Sequence, residues 1–174
     1  MEQEIQLIGT YSPPSDDCSL LVCLVVGRKE CVLSGHSDGK VKVWKETTGG
    51  SLQLVTTFSC NDGEGGITSL NLHSDEMCAV TSSRPGEFMI WNLENNGAKL
   101  LRKVTLPSDV RECEVKNLEI SNNYSVLSVV EPSLASLHLY IPGKKYIWTL
   151  TSHNVASKIT AARISTSGMM VATG

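Results

Sequence analysis

Hydrophobic positions in this chain come in short runs that alternate with polar residues, not at the three-and-four spacing of a helix. Leu20, Cys23 and Val25 make one such run, and Ile67, Leu70 and Leu72 make a second with closely similar spacing. Val115, Leu118 and Ile120 follow, then Ile159, Ala162 and Ile164. β-branched residues inside the runs, with Ser, Asn, Asp and Gly at their ends, predict strands between tight turns. A polar turn follows each of the last three runs, at 73–76, 121–123 and 165–168. Second strands are expected at 31–35, 77–82, 125–130 and 169–173. Third strands are expected to end at Trp44, Trp91 and Tyr140, and fourth strands to cover roughly 52–58, 99–106 and 144–150.

The strands repeat as a unit. CVLSGHSDGKVKVW at 31–44 aligns without a gap to CAVTSSRPGEFMIW at 78–91, so that 47 residues separate Trp44 from Trp91. Cys31 falls on Cys78, Ser34 on Thr81, Gly39 on Gly86 and Val43 on Ile90. A period of about 40–50 residues signals a propeller or solenoid, and four antiparallel strands per period make a propeller blade. The expected fold is all-β: a partial β-propeller of about three complete four-stranded antiparallel blades plus the start of a fourth. The expected boundaries are 1–17 for an N-terminal ring-closing strand and loop, 18–58, 59–106 and 107–150 for the blades, and 151–174 for half a blade.

The segment SGHSDGKVKVW at 34–44 resembles the WD-repeat family: a small hydroxyl residue, an Asp-Gly turn, and a Trp six residues after the Asp. Blades of that family are held by a buried network of Trp, Ser or Thr, His and Asp. The resemblance places Ser34, Asp38 and Trp44 in such a network, with Thr81 and Trp91 one repeat later and His153 ahead of the fourth unit. A buried indole N–H and a buried hydroxyl each need a partner, which gives the network its physical basis. The repeats diverge from the family pattern. The expected Trp-Asp ending reads Trp44-Lys45, Trp91-Asn92 and Tyr140-Ile141; Pro85 stands where Asp38 would recur, and Val130 falls on the hydroxyl position of the third unit.

The resemblance also implies a ring. Glu4 to Ile8 resembles a strand that completes a last blade, while 170–174 matches only the second strand of a unit. A seven-bladed ring needs roughly 300 residues at this period. The expectation is therefore an N-terminal fragment whose closure requires the remaining blades or a second chain, with poor solubility when alone.

Composition narrows the class. With 41% hydrophobic residues and no stretch of 18 apolar residues, the chain is neither disordered nor built around a helical membrane span. A formal net charge of −3 gives no general attraction to nucleic acid. Met1-Glu2-Gln3-Glu4 lacks the basic start and apolar run of a signal peptide, so the cytoplasm or nucleus is expected. Six cysteines without a CxxC pair read as buried thiols, not a disulfide framework.

No catalytic or metal constellation emerges, and no cofactor is expected. The glycine cluster 62–66 lacks the context of a phosphate loop. His36 beside Ser34 and Asp38 suggests a triad, but turn chemistry and a structural hydroxyl account for these residues better. His138 reads as a surface or inter-blade residue.

Charge gives one sharper expectation. Loops entering the blades carry Asp16, Asp17, Asp62, Glu64, Asp109, Glu112 and Glu114 against Arg111 and Lys158. An acidic rim of this kind suits a basic peptide or tail. The functional expectation is a non-catalytic scaffold for protein–protein interaction within an intracellular complex. One alternative is a lipid- or RNA-binding propeller using Lys99, Arg102, Lys103, Lys144 and Lys145. A propeller-based enzyme is another.

Overall fold

A computed structural model describes residues 19–27, 31–60, 65–93, 97–131, 136–144, 147–151 and 162–173. Fourteen strands and one 3-10 turn make up the regular structure among them. The first sheet holds β1 (Leu21–Val26), β2 (Cys31–His36), β3 (Lys40–Glu46) and β4 (Leu52–Ser59). The second holds β5 (Ser69–Leu72), β6 (Cys78–Ser82), β7 (Glu87–Asn92) and β8 (Lys99–Thr105). After a 3-10 turn at Ser108–Val110, the third holds β9 (Glu114–Ile120), β10 (Val126–Glu131), β11 (Ser136–Tyr140) and β12 (Trp148–Thr151). β13 (Ala162–Ile164) and β14 (Val171–Thr173) pair as a fourth, two-stranded sheet. Every sheet is antiparallel with its strands in chain order.

The alternation of the sequence places residues on two faces, and both are used. In the β2–β3 ladder Leu33 lies opposite Val43, and both join Ile67, Ala79, Met89 and Trp91 in a core between the first two sheets. Val80, Phe88 and Ile90, on the other face of the second sheet, pack on Val115, Leu118 and Tyr140 of the third. Leu127, Val129 and Leu137 then meet Ala162 of the fourth. Each fully buried Leu, Val or Phe contributes about 1.5–3 kcal/mol, so the cores between sheets carry the stability. First strands of successive sheets lie against one another, and the fourth strands stand at the periphery.

The ladders show where the repeat stays in phase. Trp44 lies opposite Val32, Trp91 opposite Ala79 and Tyr140 opposite Val126. Two residues beyond those partners stand Ser34, Thr81 and Ser128, which keep the 47-residue spacing. The hydroxyl position of the third unit is therefore Ser128, not Val130. Counting back ten residues from Tyr140 misplaces it, because twelve residues separate Ser128 from Tyr140 and the β10–β11 hairpin is two longer. A one-residue bulge just before Trp44 in the β3–β4 ladder recurs just before Trp91 in β7–β8.

One position differs sharply between units. Leu24, Leu70 and Leu118 lie opposite Ser34, Thr81 and Ser128 in their ladders. Leu70 and Leu118 are 6% and 1% exposed, whereas Leu24 is 55% exposed. A preceding sheet covers the second and third units; none among the described residues covers Leu24.

Candidate interaction surface

The second and third strands of the first two units position a polar contact within the sheet stack. Trp44 Nε1 donates to Ser34 Oγ at 2.8 Å. The Ser34 hydroxyl also meets His36 Nε2 at 2.9 Å, and His36 Nδ1 meets Ser19 Oγ at 3.2 Å. Which ring nitrogen of His36 carries the proton sets the direction of both of its bonds. In the second unit Trp91 Nε1 donates to Thr81 Oγ1 at 2.9 Å, and the Thr81 hydroxyl donates to Cys60 Sγ at 3.3 Å. Burial pushes the Cys60 thiol up to about 12, with the Thr81 hydrogen bond opposing it.

Two sequence expectations change here. Asp38 does not join the network of Ser34 and Trp44. Its carboxylate accepts the Lys40 backbone N–H at 3.1 Å and pairs with the Lys40 ammonium at 2.8 Å, which fixes the β2–β3 turn. The extra member is His36. Strand alternation carried the signal, since residues 34 and 36 share a face. His138 is fully buried, which sets aside the surface half of that expectation and not the inter-blade half, and its Nδ1 lies 3.1 Å from Thr149 Oγ1. His153 lies outside the described residues.

At one end of the stack, the β6–β7 turn meets the loops leading into β5 and β9. Gly65, Ser83, Arg84, Glu87, Arg111 and Glu112 line an open cleft of about 470 Å3 there. Gly86 allows the close approach: it sits at φ 65°, and its N–H donates to the Cys113 carbonyl at 2.7 Å. Asp16, Asp17, Asp62 and Glu64 lie outside the described residues. Glu114 pairs with Lys116 at 2.6 Å, while Asp109 and Glu112 are exposed beside Arg111. The described part of this rim carries charge of both signs.

The opposite end gathers the last residues of the first strands. Val25, Asn71, Glu119 and Arg163 hold matching places and line a second cleft of about 400 Å3. Arg163 donates to the Glu119 carboxylate. Burial raises the Glu119 carboxyl above its ordinary value, with Arg163 opposing the shift. Nearby, Tyr124 stacks on His73 at 4.3 Å and donates to Asp75 Oδ2 at 2.9 Å, while His73 Nδ1 lies 2.7 Å from Asp75 Oδ1. The Ser74 hydroxyl donates to Asn122 Oδ1 at 2.8 Å, and Asn122 N–H donates to the Thr166 carbonyl at 2.8 Å. These contacts tie the turns of three successive sheets together.

Sheets of four antiparallel strands in chain order, stacked face to face with first strands inward, match a solved structure. The chain superposes on the β-propeller domain of Cps50 (Swd1) from Myceliophteria thermophila with a TM-score of 0.65 and 18% identity. The match covers 90% of this chain and 50% of that one. The fold is a β-propeller. Its described blades are three complete ones and two strands of a fourth. No family model matches the chain. Among curated proteins it is 28% identical over 104 residues to Shk1 kinase-binding protein 15 of Schizosaccharomyces pombe, covering 59% of this chain and 29% of the relative. The chain thus spans half of the solved propeller domain and under a third of the curated relative.

The basic blade edge is partly engaged within the propeller. Arg102 lies 5.2 Å from the centre of the Tyr140 ring, and Lys103 pairs with Glu87 at 2.7 Å. Lys144 belongs to the β11–β12 turn, and Lys145 lies outside the described residues. No helix among the described residues is long and apolar enough to cross a membrane.

Proposed function

We propose that this chain is part of a non-catalytic propeller platform for binding other proteins inside the cell, in the cytoplasm or nucleus. The carrying observation is the cleft between blades two and three. Packed blades hold Arg84, Arg111 and Glu112 in fixed relation, so little ordering entropy is lost when a partner docks. The name of the Schizosaccharomyces pombe relative describes a kinase-binding protein, which fits a platform role.

A basic peptide or tail is the finer form of this reading and depends on the acidic rim. Its described carriers are Asp109, Glu112 and Glu114, with Glu114 already paired to Lys116. The lipid- or RNA-binding alternative has less support, because Tyr140 and Glu87 occupy Arg102 and Lys103.

The test is capture of partners from cell extract by the 174-residue chain, by an Arg84→Glu/Arg111→Glu variant and by Lys144→Glu on another surface. A partner held by the chain and Lys144→Glu but lost from the double variant supports the reading. Identical partner sets from all three proteins overturn the assignment to this cleft.

A further inference from the structure

Each blade exposes its fourth strand at the periphery, and a peripheral strand is a template for pairing unless charge, proline or shortness protects it. β8 and β12 are protected. β8 reads KLLRKVT, with three cations in seven residues, and β12 is only four residues long. β4 is neither. Its eight residues, LQLVTTFS, contain no charge, no proline and no glycine, and Leu52 and Leu54 are 40% and 44% exposed. No described strand lies beyond it.

We propose that the outer edge of β4 pairs antiparallel with β4 of a second copy of this chain. This goes beyond the platform reading and does not depend on it. A two-fold axis between Val55 and Thr56 sets Leu52 against Ser59, Gln53 against Phe58, Leu54 against Thr57 and Val55 against Thr56. Every pair is uncharged, and most combine apolar with β-branched or polar residues that suit cross-strand contact. The same operation on β8, between Leu101 and Arg102, sets Leu101 against Arg102, Leu100 against Lys103 and Lys99 against Val104, so each of these pairs carries a cation and like charges crowd the ladder. Both strands carry the same one-residue bulge, so it does not distinguish the two edges. Charge separates them, and it favours β4. One strand ladder is a small contact, so the dimer is weak and reversible.

Sedimentation velocity of the 174-residue chain over a concentration series tests the pairing. The wild type should rise toward twice the monomer mass. Leu54→Lys/Thr57→Lys, which opposes like charges twice across the axis, should weaken association by about tenfold or more. Leu54→Lys/Thr57→Glu, which opposes unlike charges at the same positions, should retain it. A wild type that stays monomeric, or a double-lysine variant that associates like wild type, overturns the proposal. So does loss of association in Leu24→Glu, which alters the open face of blade one and not the edge. Amide exchange of the wild type gives a readout independent of how the variants fold. Protection of β4 should rise with concentration while that of β8 stays constant, and the reverse pattern also overturns the pairing.

Discussion

Trp44 donates its indole N–H to Ser34 at 2.8 Å, and the same ladder positions one blade later join Trp91 to Thr81 at 2.9 Å. Both hydroxyls are buried, so removing either one strands an indole donor away from water. Ser34→Ala and Thr81→Val should each cost about 1–3 kcal/mol in urea unfolding followed by tryptophan fluorescence. Ser34→Thr should cost less, because it keeps the oxygen. Equal stability of Ser34→Ala and wild type would mean that the bond contributes nothing net.

Much of the strand pattern was legible because alternation and turn residues are local signals. The offset of ten residues from Ser34 to Trp44 and from Thr81 to Trp91 is visible in the chain, and the structure hydrogen-bonds both pairs. The third unit misled because hairpin length is set by its turn: two added residues shift Tyr140 relative to Ser128. Asp38 was assigned by resemblance, but an Asp two residues before a strand Lys satisfies itself locally at the turn. The charge balance of the rim was hard to read for a different reason. Arg84 lies in the β6–β7 turn, outside the loops entering the blades, and only packing brings it to Arg111 and Glu112.

Leu24, Leu70 and Leu118 offer a comparison of one residue type at one ladder position. Leu70→Ala and Leu118→Ala remove side chains from filled inter-blade cores and should cost about 2–5 kcal/mol each. Leu24→Ala should change stability by less than about 1 kcal/mol, since little of its surface is taken from water. Equal losses at the three sites in chemical denaturation would show that Leu24 is covered in solution.

His138 should make the third blade sensitive to acid. Burial depresses its imidazole below the ordinary 6.5, and the nearby Asp109 carboxylate partly opposes that shift. Below about pH 6.5 the unfolded chain takes up the proton first, so the stability associated with the neutral ring falls as pH drops toward the folded value. Melting temperature should decline through that window, and Asp109→Asn should widen it by removing the opposing charge. Imidazole titration by NMR checks the direction. A His138 that titrates above 6.5 in the folded chain would contradict the argument.

Gly86 and Gly143 separate backbone strain from the packing of one blade on the next. Both sit in left-handed conformation, at φ 65° and 80°, so an alanine at either meets the intrinsic penalty of about 1–2 kcal/mol. A β-carbon on Gly143 would meet nothing within 4 Å. On Gly86 it would overlap the Arg111 carbonyl oxygen and lie 2.5 Å from its α-carbon, where backbone and not a flexible side chain must yield. Gly143→Ala should therefore cost only the conformational term. Gly86→Ala should cost more than about 3 kcal/mol and disturb the cleft between blades two and three. Urea unfolding of the two variants measures the difference. Amide exchange at Cys113, whose carbonyl accepts the Gly86 N–H, and at its neighbours should show the junction loosening only in Gly86→Ala. Matching losses in the two variants would assign the whole effect to the turn and none to the blade contact.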